Sequence, residues 1–173
     1  MDLTNFFKEY YVVQDQKELE WLSQNVSDLK PTAILEIGVE YGGTLKLWET
    51  LLPQNKQSLL IGIDDDPTRI RWQWYSSPVT IYIVKGNSHN VYAQADVASL
   101  LGKERKFDFL FIDAEHTPQA AAQDAAMYGQ LVRHGGIIGF HDTKDIASFL
   151  DTLPKENLEY KSETIGTAIY KVP

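Results

Sequence analysis

The run Ala33–Thr44 reads Ala-Ile-Leu-Glu-Ile-Gly-Val-Glu-Tyr-Gly-Gly-Thr. It joins an apolar stretch, a carboxylate at Glu36, glycines at 38, 42 and 43, and a helix start. The apolar part has β-branched members and fits a strand buried on both faces. From Thr44 onward, Leu45, Leu47, Trp48, Leu51 and Leu52 recur at helical spacing. Strand, glycine turn and helix is the geometry in which backbone N–H groups and a helix N-terminus face a ligand. A Cβ at those glycines would keep the backbone from approaching the ligand or from taking positive φ. An ordinary βα turn also favours glycine, but three glycines together with Glu36 point to a ligand loop.

Four further polar clusters follow apolar runs. Asp64 closes the second run, where an acid of an open α/β sheet commonly accepts hydrogen bonds from a ribose; a solvated loop acid is the plain alternative. Gly86-Asn87-Ser88 follows the third, and Asn87 suits either an adenine edge or a turn. Asp113-Ala114-Glu115-His116 follows the fourth and His141-Asp142-Thr143 the fifth. No packing rule requires polar clusters at all five positions.

The elements that would carry these clusters can be read from pattern and punctuation. Residues 1–30 form a helical preface, with Asp15 and Glu18 as a capping box and Leu19, Leu22 and Val26 on one face. Lys30-Pro31 ends it. Strands are expected at Ala33–Ile37, Ser58–Ile63, Val79–Val84, Phe107–Ile112 and Ile137–Phe140. Helices are expected at Thr44–Leu52, at Thr68–Ser76 behind an Asp66 cap and Pro67, and at Val91–Leu101 closed by Gly102. A further helix starts at Thr117-Pro118, with Ala121, Ala125, Tyr128 and Val132 on one face, and a short one ends near Leu150. Leu158–Lys161 and Thr164–Val172 close the chain as an antiparallel pair. The expectation is one α/β domain over residues 1–173. Its sheet is doubly wound, Rossmann-like and seven-stranded, mostly parallel with an antiparallel terminal hairpin and helices on both faces. In such a sheet all five clusters lie on the rim formed by the carboxyl ends of the strands.

Composition narrows the partners. A net charge of −8, from 16 basic and 24 acidic residues, disfavours a sequence-blind grip on nucleic acid or an anionic membrane. There is no cysteine, so disulfides and thiolate chemistry are excluded. The N-terminus lacks the pattern of a signal peptide, and no apolar run reaches the ~18 residues of a membrane helix, so the expected location is cytoplasmic.

The whole order resembles one family: Glu36-x-Gly38-x-x-x-Gly42-Gly43, the acid Asp64, Gly86-Asn87, Asp113 after a strand, then Gly135-Gly136 before His141-Asp142. It looks like the class I S-adenosylmethionine-dependent methyltransferases, over about residues 31–172. A dinucleotide-binding oxidoreductase, the alternative, would want G-x-G-x-x-G. The resemblance implies that Gly38, Gly42, Gly43 and Thr44 wrap the amino-acid end of S-adenosylmethionine, with Glu36 near its ammonium. It implies that Asp64 holds the ribose hydroxyls and that Asn87 and Asp113 also contribute to the cofactor site. An acidic rim suits the sulfonium cation.

The second half, Ile112-Asp113-Ala114-Glu115-His116 and Phe140-His141-Asp142-Thr143, resembles the metal-dependent small-molecule O-methyltransferases and their sugar-modifying and hydroxylase-like relatives. In the catechol-type branch an acid after the fourth strand and an Asp-Asn pair after the fifth hold Mg²⁺. Asp113 and Asp142 match the first two, and Thr143 departs from the asparagine. Two hard carboxylates select Mg²⁺ or Mn²⁺ over zinc. His116 falls where that branch has a catalytic lysine and can serve as general base beside Asp113. Asp142 or Thr143 can instead cap a helix, His116 can be a loop residue, and His141 reads as a packing or supporting residue. The implied reaction is O-methylation of a small-molecule acceptor, assisted by a divalent cation. The chain is short for the family and has no acceptor lid of its own. A non-catalytic or partner-dependent cofactor-binding domain, or an acceptor site shared across a homodimer, is the other reading.

Overall fold

In the computed structural model, which describes residues 1–173, the chain builds one seven-stranded sheet. Its strands are β1 (Ala33–Ile37), β2 (Leu59–Asp64), β3 (Thr80–Lys85), β4 (Phe107–Ile112), β5 (Val132–Phe140), β6 (Leu158–Lys161) and β7 (Thr167–Lys171). They lie in the order β3-β2-β1-β4-β5-β7-β6. The first five pair in parallel, and β7 runs antiparallel to both β5 and β6. The expected doubly wound sheet with a terminal hairpin is therefore the observed one. Strand β7 takes the inner place because Thr167, Ala168 and Ile169 are buried, whereas β6 buries only Leu158.

Helices cover both faces. On one lie α2 (Gln16–Asp28) and α3 (Gly43–Leu51), with α1 (Thr4–Glu9) beside them. On the other lie α4 (Val91–Leu101), α5 (Pro118–Tyr128) and α6 (Ala147–Leu150). Strand alternation divides β1 between two cores: Ile34 joins the α2–α3 side, Leu35 and Ile37 the α4–α5 side. Trp48 of α3 meets Phe109 and Phe111 of β4 edge-on, with ring centroids 5.0 and 5.4 Å away. That contact fixes α3, and with it the glycine loop, over the middle of the sheet.

Several expectations are corrected. Between β2 and β3 there is no α-helix over 68–76, only two 3₁₀ turns, Pro67–Arg69 and Trp72–Trp74. Pro67 does open the first turn, but Ile70 becomes extended to bury its side chain and Arg71 N donates to Tyr41 O at 3.1 Å. That bond to the glycine loop replaces the i→i−4 bond a helix would need. Asp66 caps no backbone N–H; its carboxylate accepts from the Thr68 hydroxyl. Strand β5 begins at Val132, not Ile137. Val132 pairs with Phe107 and Ile137 with Phe109, so residues 133–136 form a bulge in which Gly135 has φ 72°. Val132 therefore belongs to the strand and not to the face of α5.

The capping box at α2 is half present. Asp15 Oδ1 accepts from Lys17 N at 2.9 Å and Glu18 N at 3.2 Å. Glu18 does not reach back. Fully buried, it crosses to the β6–β7 loop, where Oε1 accepts from Glu163 N (2.7 Å) and Thr164 N (2.8 Å) and Oε2 from Gly166 N (3.2 Å).

Candidate active site

The carboxyl ends of β1 to β5 open into a cavity of about 900 Å³ that gathers all five polar clusters. The glycine loop forms its floor. Gly38 has φ 87°, and a Cβ there would run into the backbone of Asp113 and Ala114. Gly42, also at φ 87°, caps α3 in the left-handed region, and its carbonyl accepts from the Tyr75 hydroxyl at 2.5 Å. Gly43 lies against the Tyr11 carbonyl. The glycines are thus required first by close protein contacts, with β4 on one side and the N-terminal segment on the other. Gly38, Gly43 and Thr44 line the cavity, while Gly42 does not.

Glu36 also lies behind the wall. It is fully buried, accepts from the Thr44 hydroxyl, and leaves Oε2 without a partner. Burial pushes its carboxyl well above the ordinary carboxylate range, against the hydrogen bond from Thr44. Asp64 lines the cavity and has the structural task that its sequence position did not reveal. Its Oδ2 accepts from Val39 N (2.9 Å) and Glu40 N (2.8 Å), and its Oδ1 from Asp66 N (2.8 Å). These bonds hold Glu40 at φ 52° and shape the loop. Asn87 reaches the cavity too, while its Oδ1 closes a turn by accepting from His89 N at 2.8 Å.

One wall went unread in the sequence. Residues 10–15, between α1 and α2, cross over the glycine loop, and Tyr11, Val12, Val13 and Gln14 line the cavity. The Gln14 amide donates to Asp113 Oδ2. The available signal was the run Tyr10-Tyr11-Val12-Val13, apolar yet lying between two helices. Among the aromatic residues near the rim, Tyr41 lines the cavity. Trp72 is exposed, and Trp74 packs edge-on to Tyr10 at 5.3 Å.

The reactive groups meet above β4 and β5. His141 Nδ1 lies 3.1 Å from Asp113 Oδ1 and 3.2 Å from Asp142 Oδ2. His116 Nδ1 lies 2.9 Å from the same Asp142 oxygen, and its ring is 51% exposed toward the cavity. Asp142 has φ 51°, an uncommon conformation for a non-glycine residue and one that clusters at functional sites. Its side chain caps no helix; α6 begins at an N-cap, Ile146, without a side-chain bond. Burial opposes charge on His141, but its hydrogen bond to Asp113 and the neighbouring Asp142 carboxylate overcome it and raise its pKa to about 10. Burial likewise opposes charge on Asp142, and the two imidazoles overcome it, holding the carboxyl well below its ordinary range. For His116 the adjacent Asp142 carboxylate, 2.9 Å from Nδ1, outweighs desolvation and raises its pKa above the ordinary value.

Asp113, His141 and Asp142 bring one ligand atom each within 4.8 Å of one another. Two carboxylate oxygens and one imidazole suit a hard divalent cation such as Mg²⁺ or Mn²⁺. The proton between the carboxylates on His141 supplies the positive charge that such a cation would bring, so the donor set fits the ion in exchange for that proton. Thr143 faces the β6–β7 loop: its N–H donates to Gly166 O at 3.2 Å, and its hydroxyl lies where a Cβ on Gly166 would fall.

Comparison with known proteins agrees with the fold. Residues 35–143, more than half of the chain, match the methyltransferase domain family. No curated protein matches in sequence. Among solved structures, the fold is similar to MycE, a methyltransferase of the mycinamycin biosynthetic pathway in complex with Mg, SAH and mycinamycin VI. The TM-score is 0.71 at 16% identity, over 99% of this chain and 54% of MycE, so the chain spans about half the length of that protein. It is similar to an O-methyltransferase from Bacillus cereus in complex with SAH (TM-score 0.69, 14% identity, 99% of this chain and 90% of that one). It is also similar to TomG, an O-methyltransferase of Streptomyces achromogenes involved in tomaymycin synthesis, in complex with SAM. There the TM-score is 0.68 at 14% identity, over 93% of this chain and 82% of TomG. With the family match and the strand order in agreement, this chain belongs to the methyltransferase domain family.

Proposed function

We propose that the chain transfers a methyl group from S-adenosylmethionine to a hydroxyl oxygen of a small-molecule acceptor, with His116 as general base. The observation that carries this reading is the His116–Asp142 pair at 2.9 Å, set on the cavity wall beside Asp113. In neutral His116 the proton on Nδ1 donates to Asp142, which leaves the Nε2 lone pair for the acceptor. As the acceptor oxygen attacks the methyl carbon, the carbon–sulfur bond breaks and the hydroxyl proton passes to His116 Nε2. Holding oxygen and methyl in line supplies much of the rate. Asp64 would take the ribose hydroxyls and Thr44 the amino-acid end, both from the cavity wall. Asp113, His141 and Asp142 would hold Mg²⁺ or Mn²⁺, which when bound lowers the pKa of an acceptor hydroxyl. The cation-bearing and small-molecule relatives above support these finer assignments by likeness of fold.

Calorimetric titration of S-adenosylmethionine, with and without Mg²⁺, tests this reading. Binding in the micromolar range is expected, lost in Asp64→Ala, together with a Mg²⁺ heat lost in Asp142→Ala. Cofactor binding with no Mg²⁺ heat would leave a metal-independent transferase. Absence of cofactor binding, with heat on adding NAD, would overturn the assignment in favour of a dinucleotide enzyme.

A further inference from the structure

Two polar residues that the transfer chemistry leaves unused face each other beneath the β3 end of the cavity. Asp124, in the middle of α5, is completely buried, and neither of its oxygens completes a hydrogen bond. His89 Nε2 lies 3.4 Å from Asp124 Oδ1 and is buried likewise. The His89 ring also reaches the cavity wall, beside Asn87 and Ser88. The backbone under the ring is anchored on both sides: His89 N donates to Asn87 Oδ1, and Ser88 O accepts from the buried Tyr128 hydroxyl at 2.7 Å. A buried carboxylate without full partners is costly, and a shift of a few tenths of an ångström would complete its bond to His89.

We propose that Asp124 is a positioning residue that fixes the tautomer of His89, and that His89 reads the exocyclic amine of the cofactor's purine. The inference rests on the reading of the cavity as an S-adenosylmethionine site. The strands end along the cavity in the order β3-β2-β1-β4-β5. With the reacting end at Asp113 and His116 beyond β4, and the ribose at Asp64 on β2, the base falls beyond β3 at Asn87, Ser88 and His89. When Nε2–H donates to Asp124, the nitrogen left for a ligand is Nδ1, an acceptor. The amine of adenine donates to it. Hypoxanthine presents a carbonyl oxygen in the same place, and two lone pairs would meet. Without the Asp124 carboxylate, the ring can carry its proton on either nitrogen and serve either base.

The test compares the affinities of S-adenosylhomocysteine and S-inosylhomocysteine by calorimetry. The wild-type chain is expected to favour the adenine form by about tenfold, the loss that follows when one hydrogen bond becomes a repulsive contact. In Asp124→Ala the ratio should fall toward one. Asp124→Asn, whose amide oxygen still accepts, should restore part of it. His89→Gln, whose amide can turn either way and can still donate to Asp124, should lose the preference, and so keeps the test open if Asp124→Ala is unstable. A tenfold ratio that survives in folded Asp124→Ala or in His89→Gln overturns the proposal, as does a wild-type chain with no preference. A wild-type chain that binds neither ligand overturns the cofactor reading itself.

Discussion

Replacing His116 with alanine is expected to lower kcat by about 10²–10⁴-fold, the usual contribution of a positioned general base. The affinity for S-adenosylmethionine should stay nearly unchanged, because His116 is held by Asp142 and contributes nothing to the glycine loop or to Asp64. Rates of S-adenosylhomocysteine formation with a responding phenolic or sugar-hydroxyl acceptor, set beside the cofactor Kd, separate the two effects. Equal loss of rate and affinity would remove His116 from the base role. The pH profile gives an independent reading. A base must be neutral to act, and Asp142 raises the pKa of His116 above 6.5. Without added divalent cation, the rate should therefore rise with pH through a midpoint above 6.5. Asp142→Asn removes the anion, so its midpoint should move to lower pH while the plateau falls with the lost tautomer.

The largest loss of stability is expected for Glu18→Ala. The carboxylate of this buried residue accepts from three backbone N–H groups of the β6–β7 loop, and the Thr167 hydroxyl lies 3.4 Å from Oε2. Alanine would leave those donors buried or half-buried without an acceptor, at a cost on the order of 3–5 kcal/mol. For a domain of this size that corresponds to a fall in Tm of roughly 6–20 °C, measurable by calorimetry. The loop also bears on the site: Ile165 lines the cavity, and Gly166 O accepts from Thr143 N, next to Asp142. Loss of activity in Glu18→Ala should therefore begin well below its Tm. A fall in Tm under about 2 °C would mean that water satisfies these donors and the buried carboxylate is dispensable.

The sheet was legible because each strand is an apolar run closed by a polar or glycine stop. Ala33–Ile37, Phe107–Ile112 and the helix Val91–Leu101 have the very bounds expected. The segment after Asp64 was not. Asp66-Pro67 is a sound local helix signal, but a backbone bond from Arg71 to the glycine loop decided against it, and tertiary bonds leave no trace in local pattern. Glu18 misled for the same reason: its spacing from Asp15 fits a capping box, while its partners lie about 145 residues away. In the site, the types and positions of Asp113, His116, His141 and Asp142 announced chemistry, and the fold brings them together. That Glu36 would sit behind the wall could not be read, because alternation does not say how deep a strand residue lies once both faces are covered.

The N-terminal segment that crosses the glycine loop has a bearing on how the chain assembles. Gln14 meets Asp113 across 99 residues of sequence, and Glu18 meets Gly166 across 148. Contacts of such separation carry a high loop-closure cost and form late. The first helices are synthesised first but cannot settle until β4, β7 and the loop before β7 exist. The parallel sheet is therefore expected to form before this segment docks, and the docking of residues 10–15 to complete one wall of the cavity. In a refolding experiment, protease sensitivity at residues 10–15 should disappear only after the sheet's circular dichroism has been regained, and cofactor binding should appear together with that protection.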